Sequence, residues 1–255
     1  MPKLFTLITD SGKDHFVVGR MKGLILRGCP NAQIVDITHE VAHFNRIEAA
    51  HQLQACYKDF PDYSIHIVHV NAFYAEKSTW IAFEMANQYF IGPNNGLFSL
   101  VFEGASFPVY EIGSTDELGR WPGKVMTDAA IHIARNSSFR GFPKCTNFDE
   151  RINLHPVVRE KTIRGTVIYI DEYGNVITNI TRKLYESVRN GRQFALYFKR
   201  FDPITYVSQH YAEEGVGDTL CRFNSLGYLE IAIHLDRATD LLDLRLNDTV
   251  QIEFY

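Results

Sequence analysis

No stretch of the chain approaches the about 18 consecutive apolar residues that a membrane-spanning helix needs, so no membrane partner is expected. Blocks of like charge are missing too. Lys and Arg number 26 against 30 Asp and Glu, a formal net charge of -4. Proteins that grip nucleic acid through its phosphates usually carry a basic excess on one face, so that class is set aside. Cysteine is scarce: Cys29, Cys56, Cys145 and Cys221 stand far apart and none forms a CxxC pair. They read as reduced thiols of a cytoplasmic protein. Ten histidines are present, but neither HExxH nor a Cys/His ligand spacing occurs, so no metal is expected. Met1-Pro2-Lys3-Leu4-Phe5 runs directly into a strand-like segment without a signal peptide's apolar region, which also favours the cytoplasm.

What remains is an ordinary globular composition, 45% hydrophobic and 22% charged in 255 residues, enough to bury a substantial core. The first half alternates β-rich runs (Leu4 to Ile8, Gln33 to Ile37, Ser64 to Val70, Thr79 to Met85, Tyr89 to Ile91) with helical spacing. Asp14 stands where a helix N-cap belongs, ahead of Phe16, Val17, Met21, Leu24 and Ile25. Asn45 followed by Glu48 makes a capping-box pattern, and Met126 to Asn136 reads as a further helix. After Pro143 and Pro156 the pattern changes to short strands separated by turns. These are Val167–Ile170, Val176–Asn179, Phe194–Phe198, Leu220–Phe223, Leu229–Ile233 and Val250–Phe254, with short helices near Thr181–Val188 and Arg237–Leu242. The fold class expected is α/β: an N-terminal α/β domain with a mostly parallel sheet over residues 1–148, and a smaller C-terminal β-barrel domain over 149–255.

Three polar turns close apolar runs: Thr9-Asp10-Ser11-Gly12, Pro93-Asn94-Asn95-Gly96 and Asp171-Glu172-Tyr173-Gly174-Asn175. They supply Asp and Asn side chains, which suit ribose hydroxyls, a purine edge and an ammonium group, so the chain reads as a nucleoside-recognising protein. Asp10 at a strand end can accept hydrogen bonds from vicinal ribose hydroxyls, or it can close an Asx-turn. Asn94 and Asn95 form a turn in either reading, with Gly96 opening a helix over Leu97–Phe102. Asn175 can match a purine edge with its paired donor and acceptor, or Asp171 to Asn175 is a hairpin turn alone. Ser225, in Asn224-Ser225-Leu226-Gly227, can bind a ligand carboxylate or cap its turn. Phe44 can stack on an adenine or staple the helix that follows.

Taken in order, five blocks resemble the family of S-adenosylmethionine hydroxide adenosyltransferases, the adenosine-forming SAM hydrolases related to fluorinase and chlorinase. The blocks are Leu7–Gly12 with Met21–Gly23, Ile34–His39, Gly92–Leu97, Ile170–Asn179 and Asn224–Ala232. The resemblance implies a homotrimer with the nucleoside ligand at subunit interfaces, SAM being substrate or ligand and no separate cofactor being needed. By carry-over Asp10 would hold the ribose hydroxyls, Phe44 would lie against the nucleoside and Asn175 would read the adenine. Asp171 and Ser225 would meet the amino and carboxylate groups of the methionine portion, and Tyr173 takes the place of the aromatic in the family's Asp-x-Phe-Gly-Asn turn. The Asn94–Asn95 turn is counted with these recognition turns.

The family's water-activating Asp, Arg and His are not matched: their positions fall on Asn71, Ser78 and Trp121 or Pro122. Strand alternation puts His69 on the same face as Asn71, so it is a possible substitute base, or else a core histidine. Glu76 and Lys77 read as solvated charges and His132 as structural. The expected function is a divergent SAM hydrolase, weak for want of that set, forming adenosine and methionine. The alternative is a non-catalytic SAM- or adenosine-binding sensor.

Overall fold

β-rich runs pair because branched and aromatic side chains suit a pleated, half-buried surface. The computed structural model describes residues 3–115, 121–150, 155–199 and 202–255. Its chain divides into two compact units, Met1–Ile152 and Asn153–Tyr255.

In the first unit, β1 (Leu4–Thr9) leads to α1 (Phe16–Gly28), β2 (Gln33–Thr38), α2 (Arg46–Cys56) and β3 (Ile65–His69). Then come β4 (Thr79–Met85), β5 (Gln88–Pro93), α3 (Leu97–Val101), β6 (Val109–Ser114) and α4 (Pro122–Asn136). The sheet order is β2-β1-β3-β5-β4-β6. The first three pairings are parallel, and β4 pairs antiparallel with both β5 and β6. α1 and α4 cover one face, packing Met21, Ile25, Met126 and Ile133 on Phe5, Leu7 and Ile67. α2 and α3 cover the other, packing Leu53, Leu97 and Phe98 on Ile8, Val68, Phe83 and Phe90.

Two helix starts differ from the sequence expectation. The N-cap of α1 is His15, not Asp14; its Nδ1 accepts the Val17 N–H at 3.3 Å. α4 begins at Pro122 rather than Met126, because a proline in the first turn removes only an N–H that has no partner there. The capping pattern of α2 forms in altered shape. Asn45 Oδ1 accepts the Glu48 N–H at 3.2 Å, but Glu48 Oε2 turns to Asn45 Nδ2 and the Ala42 N–H, both at 3.1 Å.

His66 on β3 is fully buried, with Nδ1 2.7 Å from Thr6 Oγ1 and Nε2 3.2 Å from Gln88 Oε1. Burial lowers its pKa from 6.5 to about 4, against the Gln88 hydrogen bond. A folded-state value below the unfolded one means that the unfolded chain takes up the proton first. Stability is therefore fully present above pH 6.5 and is lost as pH falls toward about 4. Denaturant midpoints measured across that window are expected to fall in wild type, and less steeply in His66→Gln.

The second unit contains β7 (Val157–Arg159), β8 (Thr162–Ile170), β9 (Val176–Thr181), α5 (Arg182–Arg189) and β10 (Phe194–Phe198). β11 (Thr219–Phe223), β12 (Tyr228–Ile233), α6 (Ala238–Leu241) and β13 (Thr249–Phe254) follow. The order is β10-β13-β8-β9-β12-β11, with β7 added beside β8, and every pairing is antiparallel. This half-barrel curls round Val167, Tyr185, Leu196, Ile231 and Ile252, all buried. No helix among the described residues is long and apolar enough to cross a membrane.

Candidate functional site

Because β1, β2, β3 and β5 run parallel, their carboxyl ends share one edge of the first sheet. Open α/β sheets present ligand crevices outside such ends. Asp10 follows β1 there, and its Oδ2 accepts the N–H of Phe44 at 3.1 Å and of Asn71 at 3.0 Å. The Asp10 carbonyl oxygen lies 2.8 Å from His43 Nδ1. Oδ1 receives no hydrogen bond from the described residues, which leaves an acceptor for a ligand hydroxyl. Phe44 and Asn71 both sit in the left-handed region, at φ 65° and 48°, a backbone that side chains rarely adopt without a tether. The Phe44 ring is 70% exposed, an aromatic face offered to solvent beside the carboxylate.

The Asn94–Asn95 turn is drawn inward instead. Asn94 Nδ2 donates to the Asn147 carbonyl at 2.7 Å and its Oδ1 accepts the Asp149 N–H at 2.9 Å. Asn95 is fully buried, donating from Nδ2 to the Val70 and Asn71 carbonyls, both at 3.2 Å, and accepting the Leu97 N–H at 3.2 Å. The Asn95 amide braces the loop after β3, and the Asn94 amide the segment at Asn147 and Asp149. They are spent on the fold.

The same loop holds two of the positions where the family resemblance expects catalysts. Ser78 is fully buried: its Oγ donates to the Ala75 carbonyl at 2.8 Å and accepts the Ala75 N–H at 3.0 Å. Tyr74 lies over Thr79, its hydroxyl accepting the Thr79 N–H at 3.1 Å. Trp121, the N-cap residue of α4, lies flat on Gly123, where an added Cβ would meet the ring at 2.5 Å. The Arg20 guanidinium stands over the Trp121 ring, 4.2 Å from its centre, and His69 lies 6.4 Å away ring to ring. Arg120, in the segment matched to the family's histidine, lies outside the described residues.

In the second unit Asp171 closes its own turn: Oδ1 accepts the Asn175 N–H at 2.8 Å and Oδ2 accepts from Asn175 Nδ2 at 2.9 Å. Gly174 has φ 80°, and an added Cβ there would lie 2.8 Å from Arg237 Cβ. Asn175 is buried against a cleft of about 820 Å³ lined by Tyr173, Tyr211, Ile233, His234, Leu235 and Arg237 among others. The Tyr173 ring is 79% exposed at its rim. A mostly apolar cleft with a few polar groups at its edge suits a flat heteroaromatic ligand. Ser225 sits exposed at the β11–β12 turn, outside the lining of this cleft, while Asn224 Oδ1 makes the turn by accepting the Leu226 and Tyr228 N–H groups at 3.0 and 3.1 Å.

Sequence reading missed the cleft's other wall. Tyr211 donates to the buried Glu230 at 2.6 Å, and Arg222 stacks on the Tyr211 ring at 4.6 Å. Burial pushes the Glu230 carboxyl up, opposed by Tyr211 and Arg222, and burial with Glu230 takes the Tyr211 hydroxyl to about 12. Arg237 donates to the Glu172 carbonyl at 2.8 Å and thereby fixes the turn beneath Tyr173. The one sequence signal was the aromatic-polar stretch Gln209-His210-Tyr211, which follows no strand or helix period.

Comparison with known proteins adds a common pattern. The model of the SAM hydroxide adenosyltransferase N-terminal domain matches residues 5–142, and that of the C-terminal domain matches residues 165–251. A Methanocaldococcus jannaschii protein named (R)-S-adenosyl-L-methionine hydrolase is 28% identical, over 98% of this chain and 95% of its own. A protein named fluorinase from Actinopolyspora mzabensis is 25% identical, over 90% of each. The crystal structure of an uncharacterised conserved protein from Thermotoga maritima superposes with a TM-score of 0.85 at 26% identity, covering 98% of this chain and 99% of that one.

Proposed function

Because this chain belongs to the SAM hydroxide adenosyltransferase family, we propose that it binds S-adenosylmethionine and slowly hydrolyses it to adenosine and methionine. The observation that carries the reading is the Asp10 carboxylate, fixed by two backbone N–H groups with one oxygen left to accept, beside the exposed Phe44 ring. A carboxylate so held is preorganised for the two hydroxyls of a ribose, and Phe44 for the face of the nucleoside. The cleft beside Asn175 and Tyr173 suits the adenine ring, and the Asp171 brace holds that turn in shape. The two groups of ligand residues are supplied by neighbouring copies in a homotrimer.

The reaction is an in-line displacement at the ribose C5′. Methionine leaves a sulfonium as a neutral thioether, so the leaving group needs no acid. The protein has to place a water opposite the C5′–S bond and keep other solvent away. An amide at Asn71, a loop-closing hydroxyl at Ser78 and an indole at Trp121 do not supply the family's set at these positions. General-base help is worth about 10²–10⁴-fold, so turnover is slow unless another residue at the site takes the water's proton.

Purified protein incubated with SAM, with chromatography for adenosine, 5′-chloro-5′-deoxyadenosine and methionine, tests this reading. Adenosine above the uncatalysed background, in step with methionine, is the expected result. Tight SAM binding with no product instead assigns the chain as a binding protein, for which the inward-turned Ser78 is the supporting observation. Neither binding nor product overturns the proposal, and a monomer by light scattering overturns the shared site.

A further inference from the structure

Resting on the hydrolase reading above, we infer that His69 accepts the proton of the attacking water. His69 ends β3, paired in parallel register with Thr9, the residue before Asp10. Both of its ring nitrogens are closed off from solvent, and neither has a hydrogen-bond partner among the described residues. A neutral imidazole carries one donor and one acceptor, and leaving both unmet in a low-dielectric site is costly. On the same strand, His66 has a partner on each nitrogen. Among the described residues His69 alone has both ring nitrogens buried without a partner, and it stands at the ligand edge of the sheet, within the electrostatic reach of Asp10. Substrate binding has to shift a neighbouring side chain to admit the attacking water against a nitrogen, and that water then satisfies the ring.

The surroundings keep the ring basic in form. Burial holds its pKa below the usual 6.5, with the Asp10 carboxylate pulling the other way, so the imidazole is neutral at pH 7. Among the described residues, the charge acting on the ring is the Asp10 carboxylate. Asp10 follows β1, and Arg20 of α1 lies across the Trp121 ring. The Trp121 ring stands 6.4 Å from the same imidazole. In the step, the water oxygen bonds to C5′ as the C5′–S bond breaks and its electron pair goes to sulfur. The water's proton passes to the unprotonated imidazole nitrogen and then to solvent. SAM and water become adenosine, methionine and one proton.

His69→Gln, which keeps a donor and an acceptor but takes no proton, and His69→Ala are compared with wild type. SAM dissociation constants, thermal melts and the pH dependence of adenosine formation are measured for each. The expected result is kcat lower by about 100-fold or more in both variants. SAM affinity in His69→Gln should stay within about threefold of wild type, and the wild-type acid limb, below pH 6.5, should be absent. Folded variants that retain wild-type kcat overturn the role of His69 and leave the hydrolase reading standing. Wild type that forms no adenosine overturns both, since there is then no water proton to accept. A His69→Gln protein whose loss lies in SAM affinity, with kcat kept, makes His69 a ligand-positioning residue and overturns the base.

Discussion

Asp10→Ala is expected to bind SAM about 10- to 150-fold more weakly than wild type, the value of charge-assisted hydrogen bonds worth ~1.5–3 kcal/mol. The carboxylate also holds the fold locally: Oδ2 tethers residues 34 and 61 positions away, and both of them, Phe44 and Asn71, hold left-handed backbones. Without the tether each can relax, taking the Phe44 ring and the loop after β3 out of place. The variant should therefore also melt lower than wild type, by the ~1–2 kcal/mol of a lost acceptor for a half-buried N–H. Asp10→Asn keeps one amide oxygen for the two N–H groups and should fall between the two proteins in stability. Calorimetric titration with SAM beside thermal melts checks both effects. A folded Asp10→Ala protein with unchanged SAM affinity would remove Asp10 from the binding site.

Ser78→Arg, the change that restores the family's arginine position, should be the most damaging single substitution in that loop. Ser78 is wholly buried, and its hydroxyl closes the loop on both the N–H and the carbonyl of Ala75. A guanidinium there loses both bonds and is buried without a partner, at about 3–5 kcal/mol. At about 2–4 °C per kcal/mol for a unit of this size, the melting temperature should fall by roughly 6–20 °C. Adding Asn71→Asp and Trp121→His cannot offset that loss, so rebuilding the family set by substitution alone should not produce a fast hydrolase. An unchanged melt would mean that the loop opens and lets the side chain into solvent, which the two Ser78 bonds argue against.

How much of this could be read from the sequence depends on the range of the interaction. Thr79–Met85 and Phe194–Phe198 were read to the residue, because alternation and flanking turns are local signals. The start of α4 was missed because Pro122-Gly123 looks like an interruption, whereas the proline is at home in a first turn. β7 consists of three exposed residues and carries no burial period to detect. At the candidate site, Asp10, Phe44, Tyr173 and Asn175 are legible in the sequence only as residue types in turns. What their atoms do was out of reach. Only the folded chain brings the Asp10 carboxylate to Asn71, spends the Asn94 and Asn95 amides on backbone carbonyls, or sets Tyr211 on Glu230.

The strand orders also bear on how the chain assembles with time. The first sheet is complete once Ser114 has been made, and its β4–β5 hairpin closes locally from Met85 and Gln88. In the second, β13 lies between β10 and β8, joining Phe254 to Phe194 and Thr249 to Thr166. Loops of that span cost entropy before any contact repays it, and sheets built from distant pairings close slowly. A growing chain can thus finish its first unit while the second still lacks the strand that joins β10 to β8, with the ladder groups of β10 and β8 open to water or to another chain.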